Sequence, residues 1–194
     1  MRFGCRRCHT VRREGTTLAA SLDRLGSKNP EELVAAIDRP AVYMPEFRFT
    51  TADRDDLVNY LLWLGRGRGD GGKETPTVIH FVRNGRDDEH PFVKRCGGCH
   101  RALTEALGGI GRGSIGPNLS ALFTPFYPRL YRKGEPWTPE RLRDWLKNSR
   151  KVRPLTVMQS VVLEKGEVER IAELLRVSRY VQTEDGMGER VKRY

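Results

Sequence analysis

The four cysteines constrain this chain more than any other feature. They lie in two motifs of the form Cys-x-x-Cys-His, Cys5-Arg6-Arg7-Cys8-His9 and Cys96-Gly97-Gly98-Cys99-His100, which use every cysteine in the 194 residues. Cys-x-x-Cys-His is the attachment signature of c-type haem, because two thiols at this spacing each form a thioether to a haem vinyl group. The histidine that follows then points its imidazole at the iron. The two motifs therefore predict two covalently bound haem c groups.

Two other chemistries use Cys-x-x-Cys pairs. A four-cysteine zinc site normally has its ligand pairs one or two dozen residues apart, whereas these pairs are 91 positions apart (96 minus 5). A thioredoxin-like redox pair follows a strand and needs no trailing histidine. Neither chemistry accounts for His9 and His100, so the motifs favour haem attachment.

The composition is that of a soluble globular protein, with 38% hydrophobic and 31% charged residues and a formal net charge of +10. The longest apolar run, Leu57 to Leu64, is interrupted by Asn59, so no membrane span is expected. The positive charge favours acidic partners. No recognised nucleic-acid motif accompanies it, so no nucleic-acid partner is expected.

The sequence predicts a mostly α-helical chain. Asn29-Pro30-Glu31-Glu32 and Thr138-Pro139-Glu140 each combine a capping side chain, a proline at the first helical position and acids in the first turn. They predict helices that run through Ile37 and Lys147. Apolar residues at helical spacing predict further helical segments over Leu18–Leu25, Thr51–Leu64 and Glu167–Val177. Thr77–Val82 fits either a short strand or the first turn of a helix.

A glycine-rich stretch divides the chain. Residues 65–72 contain five glycines in eight positions, which is typical of a flexible linker. We therefore predict a first domain over residues 1–66, a linker over 67–75 and a second domain over 76–194. The second half largely repeats the plan of the first.

A haem iron held by one histidine keeps an open position unless a second side chain closes it. Met44 and Met158 are the candidates, because each lies on a proline-bounded loop before a helix, one in each half and each after its motif. His80 and His90 compete for the second haem. His90 lies only six residues before Cys96, so we expect it on the side of the haem that is attached to the chain. His80 is less constrained, and ligation of the second iron by two histidines, His100 and His80, is therefore an alternative.

These residues resemble the class I cytochrome c family in a dihaem, cytochrome c4-like form. The resemblance rests on the first motif with Tyr43-Met44-Pro45-Glu46-Phe47, and on the second motif with Phe92, Gly116-Pro117-Asn118-Leu119 and Met158. It implies two tandem cytochrome c-like helical haem domains. His9 and His100 would be proximal ligands and Met44 and Met158 distal ones. It further implies that the Pro117 carbonyl accepts the Nδ1 proton of His100, that Leu119 lines the haem wall and that Arg153 pairs with a haem propionate.

The chain departs from the family pattern at three places. Only four residues precede Cys5, where the family has a helix, so this helix is missing or another protein completes the first domain. Ala20-Ser21-Leu22 stands where Gly-Pro-x-Leu would follow His9, and the sequence does not specify an acceptor for that histidine. Gln159 follows Met158, where the family often has proline.

The resemblance implies an electron-transfer protein, not an enzyme. We expect it to pass single electrons between redox partners with acidic docking surfaces, as a subunit of a larger respiratory or dehydrogenase complex. Its expected location is the periplasm or another extracytoplasmic space of a prokaryote. Partner subunits could also hold it at a membrane. The alternative is a dihaem peroxidase-type enzyme with one open-coordination haem, for which Glu46 and Gln159 are the nameable distal acid–base residues.

Overall fold

The computed structural model describes residues 3–66, 89–183 and 189–193. Within them helical residues outnumber strand residues, which confirms the prediction of a mostly α chain at that level. The helices are α1 (Pro30–Asp38), α2 (Thr51–Leu64), α3 (Pro91–Arg95), α4 (Pro139–Lys147), α5 (Ser149–Val152) and α6 (Glu167–Leu174). The strands are β1 (Thr10–Val11), β2 (Glu14–Thr16), β3 (Ala102–Thr104), β4 (Gly108–Ile110), β5 (Arg179–Thr183) and β6 (Glu189–Arg193).

The described residues divide into two compact units. Residues up to 66 form the first unit with residues 180–183 and 189–191, and residues 89–179 form the second with 192 and 193. The predicted linker over 67–75 lies outside the described residues. The predicted second domain of residues 76–194 differs from the structure in its last part, because β5 pairs with β2: Gly15 lies opposite Val181 and Thr16 opposite Tyr180.

The predicted helix starts are confirmed by their caps. The Asn29 side chain accepts from the Glu31 amide at 2.9 Å, and Pro30 opens α1. Thr138 accepts from the Arg141 amide at 3.2 Å at the start of α4. These contacts satisfy amides that the first helical turn leaves without an intrahelical acceptor. The predicted helical stretch over Leu18–Leu25 instead forms a short 3-10 helix, Leu22–Ser27.

Two hairpins are features that the sequence did not predict. β1 pairs with β2 directly after the first motif, and β3 pairs with β4 directly after the second. Strands of two or three residues are too short for an alternating apolar pattern, so periodicity does not reveal them. Each hairpin turns the chain back toward the motif it follows.

Each unit has its own apolar core. In the first unit, α1 and α2 contribute Leu33, Ile37, Val58 and Leu61, all at least nine-tenths buried. The core of the second unit is larger, because it joins α3, α4 and α6 around the fully buried Phe92. In the described ranges, no helix combines the length and apolarity that crossing a membrane requires.

Candidate cofactor sites

Each Cys-x-x-Cys-His motif folds into a single tight turn. In the first motif, the amides of Cys8 and His9 donate to the Cys5 carbonyl at 3.2 and 3.0 Å. In the second motif, the two equivalent amides donate to the Cys96 carbonyl at 3.0 and 2.9 Å. All four thiols are free of disulfide bonds. The turn therefore brings the two thiols and the imidazole of each motif to one short segment.

The second-motif histidine makes the hydrogen bond that the resemblance implied. His100 Nδ1 lies 2.8 Å from the Pro117 carbonyl oxygen. The residue is buried, with an exposed fraction of 8%. A carbonyl can only accept, so Nδ1 carries the proton. In the neutral ring the lone pair then belongs to Nε2, which is the atom that a metal would take.

The first-motif histidine makes the same contact with a different acceptor. His9 Nδ1 lies 2.6 Å from the carbonyl oxygen of Ala20. The protonation argument given for His100 applies unchanged, so the lone pair of His9 is also on Nε2. Ala20 is thus the acceptor that the sequence did not specify. Burial lowers the pKa of His9, and the Ala20 hydrogen bond acts in the opposite direction.

The segment that carries each acceptor is attached to the motif in the same way. The Ala19 amide donates to the Cys8 carbonyl at 2.7 Å, and the Gly116 amide donates to the Cys99 carbonyl at 2.8 Å. Ala19 immediately precedes Ala20, whose carbonyl accepts from His9, and Gly116 immediately precedes Pro117, whose carbonyl accepts from His100. Because one backbone hydrogen bond holds the segment and the next carbonyl orients the imidazole, both units contain one repeated arrangement.

A glycine in the first hairpin and one directly after the second hairpin are a further part of the repeat. Gly15 has φ 128°, and a Cβ there would lie 2.2 Å from the His9 carbonyl oxygen. Gly111 has φ 75°, and a Cβ there would lie 2.1 Å from the His100 carbonyl oxygen. Both positions need glycine for its conformation and its small size. The glycines follow their histidines by six and eleven residues, so sequence spacing alone does not pair them.

The first thiol of each motif lacks the electrostatics of a redox-active cysteine. Burial raises the pKa of Cys96 to about 11, and the nearby charges of Cys99 and Glu167 act in the same direction. Burial also raises the pKa of Cys5. Reactive cysteines in redox pairs have lowered pKa values, because the thiolate is the nucleophile. This argues against the thioredoxin-like interpretation.

Met158 is held by neighbouring side chains. The Trp145 indole Nε1 donates to Met158 Sδ at 2.9 Å, and the Ser149 hydroxyl donates to the Met158 carbonyl at 3.2 Å. Met158 also packs against the core of the second unit. It lies in a non-helical segment before α6, as predicted. The role of Trp145 was not predicted from the sequence.

Met44 occupies the corresponding loop of the first unit. Its amide donates to the Ala41 carbonyl at 2.8 Å, and the residue is half-buried. Within the described ranges, no hydrogen bond joins Met44 to His9 or Met158 to His100. Metal ligation by either methionine therefore stays a prediction.

The competing histidines are placed differently. His90 Nδ1 accepts from the Phe92 amide at 3.1 Å and so caps α3, on the attachment side of the second motif. His80 lies outside the described residues. Bis-histidine ligation through His80 therefore remains an alternative.

The two remaining predicted residues lie in the second unit. The Leu119 amide donates to the Arg101 carbonyl at 2.8 Å, and its side chain packs against the core. The Arg153 guanidinium is exposed and donates to the Leu130 carbonyl at 3.4 Å. This interaction leaves further guanidinium donors for an anionic group.

Two observations test whether a haem fits the second unit. Trp137 Nε1 is buried and has no hydrogen-bond partner in the described residues. Buried donors are normally paired, so this N–H is suited to donate to a haem propionate. Three large apolar residues are also exposed: Ile115 (85%), which precedes Gly116 in the sequence, and Leu155 (97%) and Val157 (89%), which lie shortly before Met158. Such exposure beside the candidate ligands suits a large apolar group with acidic substituents. The residues present therefore fit haem.

Among the described residues, no group of three or more His, Cys, Asp or Glu side chains is arranged to hold a metal ion. Comparisons with protein-family models, curated proteins and solved structures found no match to this chain.

Proposed function

We propose that this protein is a dihaem c-type cytochrome that passes single electrons between redox partners. The observation that carries the proposal is the repeated arrangement in which a Cys-x-x-Cys-His turn presents a histidine whose Nδ1 donates to a backbone carbonyl. Core packing alone requires neither the cysteine spacing nor this tautomer. Bound haem supplies a reversible one-electron change at its iron.

The motif residues divide the work of holding the two groups. Cys5 and Cys8 would tether the first haem, and Cys96 and Cys99 would tether the second. Nε2 of His9 and Nε2 of His100 would bind the two irons. The carbonyls of Ala20 and Pro117 hold the Nδ1 protons, which orients each ring and increases the basicity of Nε2.

The methionines complete the proposed ligand sets. Met44 and Met158 would each supply a second ligand to the iron, which would exclude exogenous ligands and raise the reduction potential relative to bis-histidine ligation. In the second unit Leu119 would pack against the haem, and Arg153 and the buried Trp137 Nε1 would donate hydrogen bonds to its propionates. The proposed function requires none of these residues to act as an acid, a base or a nucleophile. We therefore assign electron transfer to the protein and assign no catalytic residue.

Charge and motif chemistry support the proposed setting. The net charge of +10 favours acidic docking surfaces on the redox partners, and such association weakens with salt. Covalent haem attachment takes place outside the cytoplasm, which supports a periplasmic or other extracytoplasmic location in a prokaryote. We propose a subunit of a larger respiratory or dehydrogenase complex.

The peroxidase alternative gains no support from the distal candidates. Glu46 and Gln159 are both exposed. A distal acid–base residue acts in a site from which bulk water is excluded. We therefore retain the electron-transfer proposal.

Mass spectrometry of the unfolded protein from its native source tests the proposal. We expect the mass of the polypeptide plus two haem groups. The double variant C5S/C8S should retain one haem, and C96S/C99S should retain the other. The bare polypeptide mass in the unsubstituted protein would overturn the proposal, and carbon monoxide binding to the reduced protein would favour the peroxidase alternative.

A further inference from the structure

The segment that carries each acceptor carbonyl has a second attachment, which lies beyond the carbonyl. In the first unit, one oxygen of the Asp23 carboxylate accepts from the Arg12 amide at 2.6 Å. In the second unit, the Ser120 hydroxyl oxygen accepts from the Leu103 amide at 2.8 Å. Arg12 lies in the turn between β1 and β2, and Leu103 lies in β3. In both units, therefore, a side chain of the segment binds the hairpin that follows the motif.

The two attachments occupy the same places in their units. In each unit the donor amide belongs to the third residue after the motif histidine, and the accepting side chain belongs to the third residue after the acceptor carbonyl. The residues in this order are His9, Arg12, Ala20 and Asp23 in the first unit, and His100, Leu103, Pro117 and Ser120 in the second. The histidine and its acceptor are 11 residues apart in the first unit and 17 in the second. The hydrogen bonds therefore reveal a correspondence that sequence spacing does not.

A turn inside each segment is also shared. The Ser21 hydroxyl accepts from the Asp23 amide at 3.3 Å, and the Asn118 side-chain oxygen accepts from the Ser120 amide at 2.9 Å. Ser21 and Asn118 each directly follow the residue whose carbonyl accepts from the histidine. Side chains that bind the amide two residues ahead fix a local turn. The backbone between the acceptor carbonyl and the attached side chain is therefore ordered in the same way in both units.

Each acceptor carbonyl thus lies between two attachment points. The first is the backbone hydrogen bond of the residue that precedes it, Ala19 or Gly116. The second is the side chain of Asp23 or Ser120. A segment held at one point can pivot about that point, whereas attachment on both sides of a carbonyl fixes the direction of its oxygen.

Both attached side chains are buried, with exposed fractions of 9% for Asp23 and 0% for Ser120. Breaking a buried hydrogen bond leaves polar groups without a partner and is costly, so these contacts hold the segments firmly. The second oxygen of Asp23 also accepts from the Arg13 amide at 3.0 Å. Because a carboxylate in one unit and a hydroxyl in the other make the same contact, both units require the contact rather than one residue type.

We propose that Asp23 and Ser120 are positioning residues of the two cofactor sites. Each orients the imidazole of its own motif by fixing the carbonyl that holds the Nδ1 proton. The inference rests on the proposed function, because the orientation of Nε2 matters where that atom binds an iron. Both residues act through the acceptor segment, so neither is an iron ligand or a catalytic group. A side chain that only stabilised its hairpin would leave the imidazole unaffected.

Exchange of the histidine Nδ1–H protons with solvent tests the proposal. The full protein as isolated is labelled with ¹⁵N-histidine and kept under reducing conditions, and NMR measures the rates for His9 and His100. We expect D23A to raise the His9 rate about tenfold, because losing a hydrogen bond increases local opening by about this factor. S120A should do the same to the His100 rate, and each variant should leave the other histidine unchanged. D23N, which keeps one acceptor oxygen, should raise the His9 rate less than D23A.

A helix-cap variant separates positioning from a general loss of stability. N29A removes the cap of α1, which lies outside the acceptor segment. The backbone amide of Leu61, in the core of the first unit, reports global unfolding. In N29A the His9 and Leu61 rates should rise together, whereas in D23A the His9 rate should rise more. The same comparison in the second unit uses T138A, S120A, His100 and the amide of Ile171. A histidine rate that rises only as much as the core amide rate in D23A and S120A would overturn the proposal.

The mass of each variant separates this test from that of the cytochrome proposal. The Nδ1–H proton belongs to the neutral imidazole whether or not Nε2 binds a metal, so the rates are measured in either case. The bare polypeptide mass with the expected rates would overturn the cytochrome proposal and still support the orienting role of the two side chains. Two haem groups with unchanged rates would overturn the positioning role alone.

Discussion

The indole Nε1 of Trp145 donates to the Sδ of Met158 across 2.9 Å and so attaches this sulfur to helix α4. A hydrogen bond to a thioether withdraws electron density from the sulfur. If Met158 is the distal ligand, a weaker sulfur donor stabilises ferric iron less than ferrous iron. Trp145 would then raise the reduction potential of the second haem.

We accordingly expect W145F to lower that potential by about 20–60 mV, the equivalent of one hydrogen bond of about 0.5–1.5 kcal/mol in a one-electron couple. A spectroelectrochemical titration measures the shift. W63F, which alters a tryptophan of the first unit, is the matched control and should leave the second haem unchanged. An unchanged or higher potential in W145F would contradict the assigned role.

Gly116 is a second test of the imidazole geometry. A Cβ at this position would lie 2.2 Å from Cε1 of His100, whereas the equivalent position in the first unit already carries the side chain of Ala19. We expect G116A to displace the His100 ring and to lower the free energy of unfolding by about 1–3 kcal/mol, the range of overpacked cores. Denaturant unfolding measures the loss. A19G, as the paired variant, should cost less than G116A. An unchanged free energy of unfolding in G116A would show that the His100 ring tolerates the methyl group.

Asp23 stabilises the turn between β1 and β2. Its carboxylate accepts from the amides of Arg12 and Arg13 at 2.6 and 3.0 Å, and both of these residues have positive φ angles. Since 91% of Asp23 is buried, given its exposed fraction of 9%, D23A should lower the free energy of unfolding by about 2–3 kcal/mol. D55A removes an exposed carboxylate and should change it by less than about 0.5 kcal/mol. Similar losses in the two variants would refute this role.

The contact between α4 and α6 should depend on pH. The Arg143 guanidinium donates to Glu169 at 3.0 Å and holds the pKa of that carboxyl below its usual value. A lowered folded-state pKa gives stability that is present above the unfolded value and lost as pH falls through the folded one. Denaturation midpoints between pH 7 and pH 3 should therefore fall less in E169Q than in the unsubstituted protein. Parallel curves would show that the pair contributes nothing measurable, an outcome that solvent screening favours at high salt.

Local chemistry was readable from the sequence. The caps at Asn29 and Thr138 satisfy amides within three residues of themselves, so their effect is fixed by neighbours in the chain. The hydrogen bond from His100 to Pro117 was implied by a family motif only 17 residues away. The two short hairpins were not readable, because strands of two or three residues carry no periodic signal.

The sequence by itself determined which atoms are available: two pairs of thiols, each followed by an imidazole, at a spacing that a single turn brings together. Only the tertiary structure decided what those atoms meet, namely the Ala20 carbonyl at His9 and the Trp145 indole at Met158. The physical reason is range: spacing along the chain fixes the geometry of one turn, whereas these contacts depend on how separate turns and helices pack.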